Sequence, residues 1–294
     1  MSRAIASARL SLPLVALLAV AACGTADEDE PTTGAETPGE SPGAECAPDN
    51  LQTLTPGTLT IATDEPVFEP WFVDDDPANG QGFEGAIAAA LAEQMGFTPD
   101  QVEWVRVPFN AAIQPGPKEF DFDINEFSIT DERRQAVDFS APYYDVTQAV
   151  IALDGTPAAD ATSLADLAEV TLGAQVGTTS LAAIEDVVQP TTQPAVYNTN
   201  DEAKLALTNG QIDALVLDLP TAFFVTAAEI EGSRIVGQLP PGGDAPEQFG
   251  LVLDKDSPLT DCVSQAVEAL EADGTLEDIE LEWLAESAGA PVLE

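Results

Sequence analysis

The chain has no histidine, and its 294 residues include only nine lysines and arginines against 52 aspartates and glutamates. Without histidine, Ser-His-Asp and Cys-His catalysis and histidine-containing zinc sites are excluded. Catalysis by carboxylates alone stays open on composition. A formal charge of −43 repels nucleic acid and anionic lipid, which argues against both as partners. Scarcity also makes each cation informative. Nine cations minus Arg3 and Arg9, which lie in the leader described below, leaves seven, and Arg133 and Arg134 are two of those. Cysteine is rarer still, at three residues. The long apolar run, Leu10–Val20, is too short to span a bilayer as a permanent helix.

Residues 1–22 read as an export signal, with Arg3 and Arg9 in a basic region ahead of that apolar run. The run ends in Val20-Ala21-Ala22-Cys23-Gly24, which resembles the bacterial lipobox. The implied mature chain starts at a diacylated Cys23 and is lipid-anchored at the extracellular face of the cell membrane, its acyl chains buried in the bilayer. Residues 23–45 are dominated by Pro, Gly, Thr and Glu, cannot form a core, and read as a disordered tether. Cys46 and Cys262 remain. An even pair in an exported chain points to a disulfide, with two free buried thiols as the alternative.

Leu59–Thr63 is an apolar, β-branched strand after the Pro56-Gly57 turn. An aromatic-bearing loop follows, with Phe68 and Trp71. From Glu84 the period becomes helical, Ile87, Leu91 and Met95 recurring at four-residue steps until Gly96. Strands follow at Val102–Val107 and near Phe122. A second unit of the same type starts after Pro157. It has a strand at Val170–Gln175, a helix opened by Gly177-Thr178-Thr179-Ser180, a strand at Val196-Tyr197, a helix over Asp201–Thr208 and a buried strand at Ile212–Asp218. Phe249–Leu253 reads as a strand, and two helices follow, with Pro258 and Thr275 at their starts. This order predicts an α/β protein of two lobes, each a parallel-type sheet flanked by helices, joined by a two-strand hinge. Crossovers near Val146–Gln148 and Glu247–Gly250 give lobe I as 46–146 plus 249–294 and lobe II as 147–248, with the C-terminal helices on lobe I.

The most informative stretch is Phe120–Tyr144, FDFDINEFSITDERRQAVDFSAPYY. A strand end, the Ser128-Ile129-Thr130 step and a helix start at Asp131-Glu132-Arg133-Arg134 lie within a few residues of one another. Hydroxyl and backbone donors beside a guanidinium suit capture of a small carboxylate. The plainer reading is a surface helix capped by Thr130, with Arg133 paired locally. The Asp74-Asp75-Asp76 run fails the calcium-loop template, having Asn79 and Gly85 where Gly and Glu are required, and no metal is expected.

From about Leu59 to Trp283 these segments resemble the family 3 extracellular solute-binding proteins. The matching pieces are Gly82-Phe83-Glu84, Lys118-Glu119-Phe120-Asp121, Ser128 to Arg133, Val137 to Tyr144, Gly177-Thr178-Thr179, Ile212-Asp213-Ala214 and Asp218. The resemblance implies a two-lobed periplasmic-binding-protein-like fold of type II that holds an amino acid between its lobes and delivers it to the permease of an ABC importer. It implies that Arg133 binds the ligand carboxylate and Asp218 its ammonium, with Ser128, Gly177, Thr178 and Thr179 adding donors and Phe68 or Trp71 stacking on the ligand. A zwitterion leaving water needs such a fixed cation and anion. No cofactor and a monomer are expected. The chain departs from the family pattern at Gly85-Ala86, where an aspartate is missing, and at Glu126, which replaces a small residue after Asn125. Asn125 and Glu126 are therefore expected to face the ligand and to favour a polar or cationic amino acid. An enzyme of the same fold, a cyclic-acid dehydratase with Glu126 as acid or base, is the alternative. A ligand sensor is another, disfavoured because no transmembrane helix or signalling domain follows Trp283.

Overall fold

The computed structural model describes residues 44–243, 245–284 and 290–294. The expected export signal, the acylated Cys23 and the tether up to residue 43 lie outside the described residues.

Strand β1 (Leu59–Thr63) is buried at every position, as its continuous apolar and β-branched composition requires for a central strand. It pairs in parallel with β2 (Val102–Arg106) and with β3 (Phe122–Asp123). Two long strands complete this sheet: β4 (Asp138–Val146) and β10 (Glu247–Leu253), giving the order β2-β1-β3-β10-β4. Helix α1 (Phe83–Gln94) presents Phe83, Ile87 and Leu91 to the sheet, and Gly96, at φ 86°, follows its end.

The second sheet contains β5 (Gln148–Leu153), β6 (Leu172–Gln175), β7 (Ala195–Tyr197), β8 (Ala214–Asp218) and β9 (Ser233–Gln238), in the order β7-β6-β8-β5-β9. Helices α4 (Thr179–Ala183), α5 (Asn200–Thr208) and α6 (Leu219–Phe224) belong to this lobe. Both sheets are mixed. The strands of each β-α-β series pair in parallel, while β10 runs antiparallel to β3 and β4, and β5 antiparallel to β8 and β9. Local periodicity predicts the parallel strands well, but β4, β5 and β9 follow no β-α-β order and take their partners from elsewhere in the chain.

One residue, Thr147, separates β4 from β5, so the chain passes from the first sheet to the second there. The return lies between Gln238 and Glu247, slightly before the expected Glu247–Gly250, because β10 already pairs with β4 from Glu247 onward. Helices α7 (Thr260–Ala272) and α8 (Thr275–Trp283) bury Val263, Val267, Leu270 and Leu276 in the core that contains α1. The helix expected to open at Pro258 begins two residues later, Ser257 Oγ accepting from Leu259 N at 3.2 Å ahead of it. Cys46 and Cys262 are disulfide-bonded, with Cα atoms 5.4 Å apart.

Residues 290–294 depart from the expected lobe I assignment. Gln238 N donates to Pro291 O at 2.8 Å, Leu293 N donates to Gln238 O at 2.9 Å, and Leu293 is buried in a core of the second sheet. These residues pair with the outer edge of β9, the side away from β5.

Candidate functional site

Arg133 is the natural starting point. The expected helix at Asp131 shrinks to a single 3-10 turn, Arg133–Gln135, since β4 begins at Asp138 and leaves no room for more. Thr130 Oγ1 accepts from Arg133 N at 3.1 Å. The Arg133 side chain is 8% exposed. Its Nη1 donates to Ser128 O at 2.7 Å and its Nη2 to Gly177 O at 2.9 Å, so the guanidinium joins the two lobes. It also lies 5.4 Å over the ring of Phe109, which stacks on Phe127 at 4.7 Å. Helix α2 (Phe109–Ala112), directly after β2, supplies that aromatic floor. Burial pushes the Arg133 pKa down, while the carboxyls of Glu247 and Asp218 oppose the shift.

On the second lobe, Asp218 ends β8. Strand register sets its partner: Gln148 is directly opposite in β5, and Gln148 Nε2 donates to Asp218 Oδ1 at 2.7 Å. The other end of the Gln148 amide accepts from Ser180 Oγ at 2.6 Å, and its Nε2 also reaches Glu247 Oε2 at 3.2 Å. Glu247, the first residue of β10, takes a 2.5 Å hydrogen bond from Ser128 Oγ. Ser128 is thus fully engaged, with Thr179 Oγ1 a further 3.1 Å neighbour. The Thr178 hydroxyl caps α4, accepting from Leu181 N at 3.2 Å and donating to Gln175 O at 2.7 Å.

Glu126 stands between these parts. Its backbone is left-handed, φ 52°, a conformation that costs non-glycine residues. Its N–H donates to Glu84 Oε1 at 2.6 Å, and the Glu84 carboxyl also accepts from Tyr143 Oη at 2.5 Å. Its side chain meets the second lobe, where Thr221 Oγ1 donates to Glu126 Oε2 at 3.1 Å. Trp71 Nε1 donates to the same hydroxyl at 2.8 Å. Trp71 is 1% exposed and packed edge-on against Phe83, Tyr144 and Phe249. It belongs to the core while its nitrogen reaches across the cleft. Phe68 is the more open aromatic, and Lys204 Nζ sits 4.5 Å from its ring centroid.

Between the lobes lies a cavity of about 370 Å³, within the range of small-molecule sites. Its lining includes Phe68, Trp71, Asn125, Glu126, Arg133, Thr178, Thr179 and Asp218. Ser128 and Gly177 do not line it; they touch Arg133 through their carbonyls. Asp64, Glu65 and Asp201 also face the cavity, and among the described residues lining it Arg133 is the sole cation. Burial raises Asp218 to about 7, with Glu247 adding to the shift, and raises Glu84 to about 7 as well. Glu126 is held well above the usual carboxylate range by burial and by the Asp218 charge.

The chain matches the family model of bacterial extracellular solute-binding proteins, family 3, over residues 59–286. It belongs to that family. A sequence relative is the L-arginine-binding protein of Pseudomonas aeruginosa, 30% identical over 236 residues that cover 75% of this chain and 88% of the relative. The glutamate-binding protein GluB of Corynebacterium efficiens is 28% identical over 209 residues, 69% of each chain. Among solved structures, an ancestral arginine-binding protein bound to arginine superposes with a TM-score of 0.64 at 30% identity, covering 78% of this chain and 98% of the other. The two mixed sheets and the cleft between them are the two-lobed fold expected of such a solute-binding protein.

Sequence reasoning missed Gln148, Glu247, Thr221 and Phe109. Phe109 had a local signal, an apolar residue opening a short turn after a strand. The other three reach the site only through sheet register and lobe apposition, which no local pattern reports.

Proposed function

We propose that this solute-binding protein captures a free amino acid with a polar or cationic side chain and delivers it to the permease of an ABC importer. The observation that carries this reading is the cavity wall, where Arg133 faces Asp64, Glu65, Glu126, Asp201 and Asp218. A zwitterion with an additional positive group matches one fixed cation among several carboxyls. In this reading Arg133 holds the ligand carboxylate. Two of its donors go to Ser128 O and Gly177 O, and a guanidinium has five N–H donors, so three remain for the ligand. Asp218 accepts from the ligand ammonium, oriented by Gln148. Asn125 and Glu126 meet its polar end, and Phe68 supplies an apolar face, with Trp71 behind it. Thr178, Thr179 and Gly177 contribute from the N-terminal end of α4. Because Arg133 and Asp218 come from different lobes, the bound ligand closes the cleft. The mature chain is read as a monomer held at the outer membrane face through acylated Cys23.

A thermal-shift screen of the mature protein against free amino acids tests this. L-arginine or another polar or cationic amino acid is expected to raise the melting temperature, by mass action on the native state, and Arg133→Ala to abolish the shift. A selective response to aliphatic or acidic amino acids would overturn the specificity; no response in folded, ligand-free protein would overturn the amino acid reading.

A further inference from the structure

Glu126 and Asp218 come from opposite lobes and both line the cavity. Their carboxyls are placed for a mutual hydrogen bond across it. Such a bond between two carboxyls requires a proton. Each has one further neutral donor: Thr221 Oγ1 on Glu126 at 3.1 Å and Gln148 Nε2 on Asp218 at 2.7 Å.

The charged surroundings are mostly negative. Glu84 on α1 lies beneath Glu126, tied to its N–H and to Tyr143 on β4, and Glu247 on β10 adds its charge to Asp218. Of the cations, Arg133 donates to two backbone carbonyls. Lys204 on α5 borders the smaller recess behind Glu126, together with Glu69 and Glu229, but it is paired with Asp201 at 2.9 Å and Glu229 at 2.8 Å. Two carboxylates in contact ionise together only at raised pH unless a cation is placed between them.

We propose that Glu126 and Asp218 form one proton-sharing receptor for the ligand's cationic group, so that capture of the ligand releases a proton to solvent. This rests on the amino acid reading above and adds to it a pH-dependent affinity. The ammonium stays protonated, takes the place of the shared proton and leaves both carboxyls ionised. A ligand that brings no cationic group to the pair leaves the proton where it is.

The test is isothermal titration calorimetry of L-arginine into the full mature chain, repeated in buffers of different ionisation enthalpy from pH 5.5 to 9. The slope of apparent enthalpy against buffer enthalpy counts the protons released. At pH 6 about one proton per ligand is expected, with affinity rising up to about tenfold per pH unit and levelling in the alkaline range. Glu126→Gln, which keeps the Thr221 contact, is expected to bind with less than half the proton release and a flatter pH profile. Tight binding by the wild type with no proton release and equal affinity from pH 5.5 to 8 would overturn the receptor while leaving the amino acid reading intact, and needs no variant. Unchanged release in a folded Glu126→Gln protein would do the same. If neither L-arginine nor any other amino acid binds the folded wild type at any pH, the amino acid reading fails and this inference with it.

Discussion

Glu84 is fully buried, and only one of its carboxyl oxygens has partners, Tyr143 and the Glu126 N–H; Oε2 has none among the described residues. Burial raises it from 4.5 to about 7, and Asp123, whose two oxygens are both unpartnered, is raised well above its ordinary range. The folded state therefore holds these protons more tightly than the unfolded chain does. Their contribution to stability is fully present below the ordinary carboxylate range and is lost as pH rises through about 7. For Glu84 alone the difference amounts to roughly 3 kcal/mol between pH 4 and pH 8. The ligand-free protein is expected to melt at a higher temperature at pH 5 than at pH 8, and Glu84→Gln to flatten that dependence; equal slopes in a melting series would contradict it. Arg133 belongs to the same scale. Arg133→Lys keeps the charge but loses the fork, so ligand affinity is expected to fall by roughly two orders of magnitude, corresponding to about 2–3 kcal/mol, read by calorimetry at fixed pH.

Among the elements, the turn between β6 and α4 brings the two lobes into contact through Gly177. Gly177 has φ 77°, and a Cβ there would overlap Asn110 Oδ1 of α2 on the other lobe. Gly177→Ala therefore strains its own turn and displaces the Asn110 amide at the point where Arg133 Nη2 reaches Gly177 O. Weaker ligand binding, expressed mainly as faster dissociation, is expected in stopped-flow or surface-capture kinetics. Trp71→Phe probes the same closure from the first lobe. It keeps an aromatic in the core but removes the Nε1 bond to Thr221, worth about 1 kcal/mol. These elements also show where sequence patterns are readable. α1 and β8 carry their burial in their own periodicity and apolar content. The Arg133 turn does not, since its helical capping signals are overridden by the β4 strand that follows.

At the scale of the whole molecule, the disulfide joins residues separated by 216 positions. It links the start of the described chain to α7, and so holds the C-terminal helices against the lobe that contains β1. Closing so long a loop restricts the unfolded chain, and reduction or Cys262→Ser is expected to cost roughly 2–4 kcal/mol, seen as a lower urea midpoint. Besides the two crossings at the hinge, residues 290–294 join the second sheet through Gln238. That edge pairing adds a contact on the far side of the cleft from the disulfide.

The sequence alone determined the parts that rest on local chemistry. Apolar runs such as Leu59–Thr63 and Ile212–Asp218 read as buried strands, the four-residue steps after Glu84 as a helix, and Arg133, one of few cations among many carboxyls, as a candidate for holding an anion. Tertiary structure decided how those pieces meet. Gln148 faces Asp218 because an antiparallel register puts it there, Glu247 reaches Ser128 because β10 returns between β3 and β4, and Thr221 meets Glu126 and Trp71 across the cleft. These contacts span 70 to 150 residues of chain. Hydrophobic periodicity reports which face of an element is buried; the partner against which it is buried depends on strand order and lobe closure, which are set by the packing of the whole chain.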